Sequence, residues 1–166
     1  MTGALLAASY VGTIIAANAA IVLVGVVPVG FGLAAPAGVY FAGLAFTLRD
    51  LLQERIGRVG VLAAIGAGAG VSAAVAPTLA LASGAAFLLS ELVDFAVYTP
   101  LRTRSWIGAV VLSNLAGLVL DSVVFLWLAF GSLDFLAGQI VGKTWVTLLA
   151  VLVLPRWTRS ISGRIA

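Results

Sequence analysis

The chain has 166 residues, of which 63% are hydrophobic and 9% charged, with a mean hydropathy of +1.21. A soluble domain carries about 25% charged residues, so there is too little polar surface here for a water-soluble particle and too much apolar content for a disordered chain. Cysteine and histidine are both absent, which excludes a disulfide scaffold, thiolate or imidazole metal sites and histidine catalysis. What remains is an integral membrane protein.

A membrane-spanning helix takes about 20 mostly apolar residues, and six segments satisfy that. The first covers residues 4–27 and closes at Pro28. No basic residue precedes it and its apolar run is long, so it is expected to be a retained helix and not a signal peptide. Gly30-Phe31-Gly32 follows; with no strand expected before it and no Gly-Lys-Ser/Thr after it, it is not a phosphate loop. The second segment, 36–56, is entered through Ala35-Pro36 and carries Arg49, Asp50 and Glu54 near its end. The third, 58–79, is rich in glycine and alanine, with Pro77 near its close. The fourth, fifth and sixth are 81–101, 106–129 and 133–155, the last stopped by Pro155.

A membrane barrel needs polar and apolar residues in alternation. Val22 to Val27 and Leu148 to Val153 are apolar on both faces, so helices are predicted. Six spans leave no room for a soluble domain. The expected fold is an all-α membrane protein, one domain over 1–166. Gly66, Gly68 and Gly70, with Ala4, Ala8, Ala16 and Ala20, would allow close helix approach.

The fifteen charged residues divide cleanly. Arg55 and Arg58 flank the connection after span two, Arg102 and Arg104 the one after span four, and Arg156, Arg159 and Arg164 follow span six. The positive-inside rule makes these sites cytoplasmic. Both termini then lie inside, as an even number of spans requires. Topology accounts for seven of the nine cations, so the basic balance does not point to nucleic acid. The bilayer is the expected partner, and the localisation a multi-pass plasma-membrane one. Trp106, Trp127 and Trp157 fall near span ends, as interface anchors do.

Charge at depth has no topological reason. A charged side chain at the centre of a membrane helix costs about 2.5–3.5 kcal/mol on insertion scales, and such residues mark substrate or proton pathways. Glu91, Asn114 and Lys143 fall near the midplane, Asp121 and Asn18 nearer the outer side, Asp50 and Asp94 nearer the inner side. Helical spacing pairs Asp50 with Glu54, Glu91 with Asp94, Asn114 with Asp121 and Gln139 with Lys143, each pair on one face. Stripes of this kind suit helices around a common cavity. Asn18, Asn114 and Gln139 also suit interhelical glue, and Asp50 a rim ion pair with Arg49 or Arg55. Trp145, mid-span beside Lys143, suits bundle packing and, as the alternative, stacking on a ligand.

Three segments resemble the queuosine-precursor transporter family, also called the VUT or vitamin uptake transporter family. The first runs from Phe46 to Gly57 and contains Arg49-Asp50-Leu51-Leu52-Gln53-Glu54, similar to the family's Asp-x-x-x-Glu at the cytoplasmic rim. The second is Ser83-Gly84-Ala85-Ala86-Phe87 with Ser90-Glu91-Leu92-Val93-Asp94. The third is Ser113-Asn114 with Asp121-Ser122-Val123-Val124-Phe125 and Ala129-Phe130-Gly131. Arg49 directly before Asp50 departs from the family pattern. The resemblance implies a six-helix bundle similar to the substrate-binding components of energy-coupling-factor transporters. It also implies uptake of deazaguanines carrying a cyano or aminomethyl group.

The chemistry of such a ligand fits the polar stripes. Its guanine edge offers two adjacent N–H donors, which a carboxylate accepts as a bidentate pair; Glu91 or Asp121 is the expected acceptor. Its carbonyl needs a donor, which Lys143, Gln139 or Asn114 would supply, and its face a wall such as Phe87, Phe125 or Trp145. Asn18 completes the expected site, and Asp94 would serve a cationic aminomethyl group. Glu91, Asp94 and Asp121 are the candidates for proton coupling in a secondary carrier. No nucleotide-binding motif, cofactor site or metal site is legible. The alternatives are a component that docks on a separate ATP-driven module, with a homo-oligomer or that module as partner, and a membrane enzyme using paired carboxylates. The enzyme is the weaker, since no nucleophile is visibly activated.

Overall fold

The computed structural model describes residues 3–74, 76–101 and 103–162, and within these every side chain except those at 50, 54, 58, 95, 106, 107, 109–111 and 150–162. The rim residues Asp50 and Glu54, Arg58 and Arg102, and the basic residues after 155 therefore lie outside the described side chains. The chain order is α1 (Gly3–Val24), β1 (Val26–Gly30), β2 (Leu33–Pro36), α2 (Val39–Ala73), α3 (Pro77–Leu101), α4 (Trp106–Phe130) and α5 (Leu136–Ser162).

Helix α1 stops three residues short of the expected end. Gly25 takes a left-handed φ of 79°, and its amide still bonds to the Ile21 carbonyl at 3.0 Å, a glycine-terminated helix end. The stretch from 26 to 36, expected to finish span one and then to be a loop, is an antiparallel hairpin. Val26 pairs with Pro36, Val27 with Ala35 and Pro28 with Ala34, and the register shifts between Pro28 and Gly30. A strand therefore does precede Gly30-Phe31-Gly32, contrary to expectation. These three residues all have positive φ, 99°, 55° and 72°, and turn the hairpin. A short apolar run does not distinguish strand from helix by pattern; the punctuation by Gly25, Pro28, Gly30 and Gly32 decides.

The hairpin is not a free loop. Val29 and Ala35 are buried with Val39 in one cluster, and Trp145 of α5 donates through Nε1 to the Val29 carbonyl at 3.2 Å. Glycines on α5 and α2 permit this closeness. A Cβ on Gly142 would sit 2.7 Å from Val39, and one on Gly43 2.9 Å from Val146. Of the small residues read from sequence, Gly68 packs on Ile14 of α1, whereas Gly66 and Gly70 face open space.

The second and third expected spans form the single element α2, broken at Gly57, where φ is 72° and ψ 177°. A straight helix would hold Ala45 and Ile65 about 30 Å apart at 1.5 Å per residue. Both instead belong to one core cluster with Leu6, Tyr10 and Leu52, so the two halves fold back beside each other at Gly57. That conformation is nearly closed to any side chain. Gly57→Ala is expected to cost about 1–3 kcal/mol, read as a lowered midpoint of thermal unfolding in detergent. An unchanged midpoint would show that the reversal does not depend on glycine.

Span three thus ends at Ala73, and Pro77 opens α3 where it was expected to close its predecessor; proline is favoured in the first turn because its missing N–H is not needed there. Ser105 caps α4 by accepting from the Gly108 amide at 3.1 Å, and left-handed Gly131 ends it. Helix α5 runs on through Pro155, which was expected to stop it; proline is tolerated in membrane helices where the freed carbonyl finds another partner. Among the described residues, Gly3–Val24, Pro77–Leu101 and Leu112–Phe130 are long and apolar enough to cross a membrane, and Val59–Ala73 is apolar but shorter.

Candidate functional site

One cavity lies between all five helical elements. It measures about 70 Å³, traced by the centre of a water-sized sphere. A single water needs roughly 10–15 Å³ on that measure, so the space suits a small organic molecule. Both halves of α2 reach it, through Ala42, Ala45 and Phe46 before the break and Ile65 and Ala69 after it. Most of the wall is apolar. The polar side chains come from four helices.

Asn18 of α1 is 1% exposed and accepts a hydrogen bond at Oδ1 from Ser83 of α3, 3.0 Å away. Its Nδ2 has no partner, and neither has Oε1 of Gln139 on α5, a residue 2% exposed. Lys143, one turn along α5 from Gln139, is 1% exposed. Its ammonium donates to Asp121 Oδ2 at 2.5 Å and to Ser122 Oγ at 2.9 Å. Ser122 in turn donates to the Leu118 carbonyl at 2.8 Å. The cavity thus holds a neutralised ion pair and two carboxamides with one free end each.

Phe46 and Phe87 close one side. Their rings stack with centroids 5.7 Å apart and planes 21° from parallel. Beyond them, one turn further along α2 and α3, Arg49 pairs with Glu91. The Arg49 guanidinium lies 5.8 Å from the Phe46 centroid and 6.0 Å from that of Phe87. Arginine over aromatic faces is a favourable arrangement where water is excluded. Arg49 is buried, and neither it nor Glu91 lines the cavity.

The site read from sequence is therefore divided. Asp121, Lys143, Gln139, Asn18, Phe87 and Phe125 come together around the cavity. Glu91 does not; it sits behind the phenylalanines. Asp94 lies between helices, its Cβ 3.8 Å from where one on Gly117 of α4 would be. Asn114 is exposed while its neighbour Ser113 is buried. The seven-residue spacing does place Asn114 on the Asp121 stripe, but Asn114 is not among the residues that line the cavity. Trp145 is 44% exposed and stacks on Phe31 of the hairpin, centroids 6.2 Å apart. Two residues on from Lys143, it points to the opposite side of α5, and so it fastens the hairpin in place of facing a ligand. Among the described residues no cluster of three or more carboxylates could hold a metal ion.

Ser83, Ser122, Phe46 and Thr13 were not read as site residues. The first three stand inside or at the start of the family-like motifs quoted above, which is the available signal. Thr13 carries none: its hydroxyl bonds to the Tyr10 carbonyl at 2.7 Å, as many helical threonines do.

The family model described as Putative vitamin uptake transporter matches residues 71–159, more than half of the chain. The chain belongs to this family. The match spans α3, α4 and most of α5, and with them Ser83, Phe87, Asp121, Gln139 and Lys143 of the cavity. Asn18, Phe46 and Arg49 lie outside it. Comparison with curated proteins found no match, and comparison with solved structures found none.

Proposed function

We propose that this membrane protein imports a small planar heterocycle, of the 7-deazaguanine type found among queuosine precursors, across the plasma membrane. The carrying observation is the cavity between the helices of a vitamin uptake transporter, apolar along its walls and polar at Asn18, Gln139, Asp121 and Lys143. Binding sites for small ligands have this character, with a few placed polar groups fixing orientation. Phe87 and Phe125 supply faces for a flat ring. In this reading α2 counts as two spans and the bundle as six, with both termini and the arginine-rich connections cytoplasmic.

The transport mechanism is secondary and proton-coupled. Protonation of Asp121 releases the Lys143 ammonium, which gives one buried pair two states. Rocking of the bundle around a fixed site would then expose the cavity to either side.

Two measurements test this. Purified protein in detergent is expected to gain about 2.7 kcal/mol from cyano-deazaguanine at 100 times its dissociation constant, seen as a higher unfolding midpoint, whereas common vitamins leave the midpoint unchanged. In liposomes, the protein alone is expected to accumulate the same compound under an inward proton gradient and to lose accumulation on adding a protonophore. Accumulation that ignores the gradient would reject proton coupling. Transport that appears only with added ATPases would favour the energy-coupling-factor type of assembly.

A further inference from the structure

The charges around the cavity are already spoken for, and this bears on which ligand can enter. Asp121 and Lys143 neutralise each other at 2.5 Å, and Ser122 takes a second ammonium proton. Glu91, the other carboxylate close by, is turned toward Arg49 behind the stacked Phe46 and Phe87. Among the described lining residues the hydroxyls are also engaged, Ser83 on Asn18 and Thr13 on the Tyr10 carbonyl. Among the described lining residues, the polar atoms buried with no partner at all are one end on each of two carboxamides, Asn18 Nδ2 and Gln139 Oε1. A buried polar atom without a partner is costly, and two of them on one cavity are a demand for a ligand that satisfies both. Carboxamides carry no charge, and each can give or accept a hydrogen bond.

We infer that the cavity selects an uncharged ligand with a lactam or amidine edge, held by the Asn18 and Gln139 carboxamides, and disfavours a cation. Resting on the deazaguanine reading, this makes the neutral cyano form the substrate in preference to the aminomethyl cation. A cation would give up its hydration and, among the described lining residues, meet no carboxylate that is not already paired. At Asp121 it would have to share a carboxylate whose charge Lys143 already balances.

The test is a set of dissociation constants at pH 7 for the full chain in detergent, using cyano-deazaguanine, aminomethyl-deazaguanine and guanine. The neutral cyano compound is expected to bind at least about tenfold more tightly than the cation, the margin of one good hydrogen bond or ionic penalty. Asn18→Leu and Gln139→Met should each weaken it about tenfold, with circular dichroism confirming that the variants fold. Asn18→Asp, which adds a free carboxylate in the same space, should move the preference toward the aminomethyl cation. Equal or tighter binding of the cation by the native protein, or native affinity in both Asn18→Leu and Gln139→Met, overturns the inference and leaves the deazaguanine reading standing. Binding of guanine but neither deazaguanine, lost in the two variants, overturns that reading and keeps the inference. Binding of none of the three overturns both.

Discussion

Lys143→Met is expected to destabilise the folded protein by about 3–5 kcal/mol and to abolish uptake. Methionine preserves most of the stem's volume, but the Asp121 carboxylate is then left buried with no cation. Ser122 is a poor substitute, because its hydroxyl proton is given to the Leu118 carbonyl. Adding Asp121→Asn to the same chain removes the stranded charge. The double variant should recover most of the lost stability, since exchanging both members of a buried pair for uncharged groups is often close to neutral. Thermal unfolding of the three variants in detergent gives the coupling directly. A single variant that melts with the native protein would mean that the pair is not a desolvated one. Uptake provides a separate reading. If protons enter through Asp121, the double variant folds and does not accumulate substrate; accumulation in it would place the coupling at another residue.

Glu91→Gln is expected to act on stability and transport while leaving substrate affinity unchanged. Arg49 is 5% exposed, and loss of the Glu91 carboxylate facing it should cost about 1–3 kcal/mol. The pair lies behind Phe46 and Phe87 and contributes no atom to the cavity lining, so ligand affinity measured by titration should not move. The exchange Arg49→Glu with Glu91→Arg restores opposite charges across the same two helices and should regain part of the stability. A large loss of affinity in Glu91→Gln would instead put this carboxylate on the ligand, as the spacing alone had suggested. Asp121→Asn provides the contrast, since it alters a group on the cavity itself.

Much of this site was legible because charge is so scarce. In a chain with nine cations and six acids, Lys143 and Asp121 stood out as having no topological purpose, and they prove to be partners. Gln139 was legible from its four-residue spacing to Lys143. The same logic puts Asn114 on the Asp121 stripe, where it is exposed. Periodicity says which residues share a helix face, not whether a neighbouring helix covers that face at a given level. The spacing puts Glu91 and Asp94 on one face of α3 but does not name the partner of Glu91. The rim cluster reads as a local pair of Asp50 with Arg49 or Arg55, and nothing in that spacing announces that Arg49 reaches across to α3. The hairpin was missed because apolar β-branched runs fit a span and a strand equally well. The packing partner of Trp145 is hidden with it, since Phe31 belongs to that hairpin.

By itself the sequence determined the solvent, the secondary-structure class and the family. These follow from composition, from the length of apolar runs and from ordered motifs, all of which are local along the chain. It also determined which side chains are too costly to bury idly. Only the tertiary structure decided how those side chains are shared out. It separated Asp121–Lys143, on the cavity, from Arg49–Glu91 behind an aromatic wall. It also left one end of each of two carboxamides, on Asn18 and Gln139, buried without a partner. The physical reason is that an ion pair is a relation between helices. Which carboxylate meets which cation depends on the reversal at Gly57 and on the helix crossings, and no spacing within a single helix encodes that.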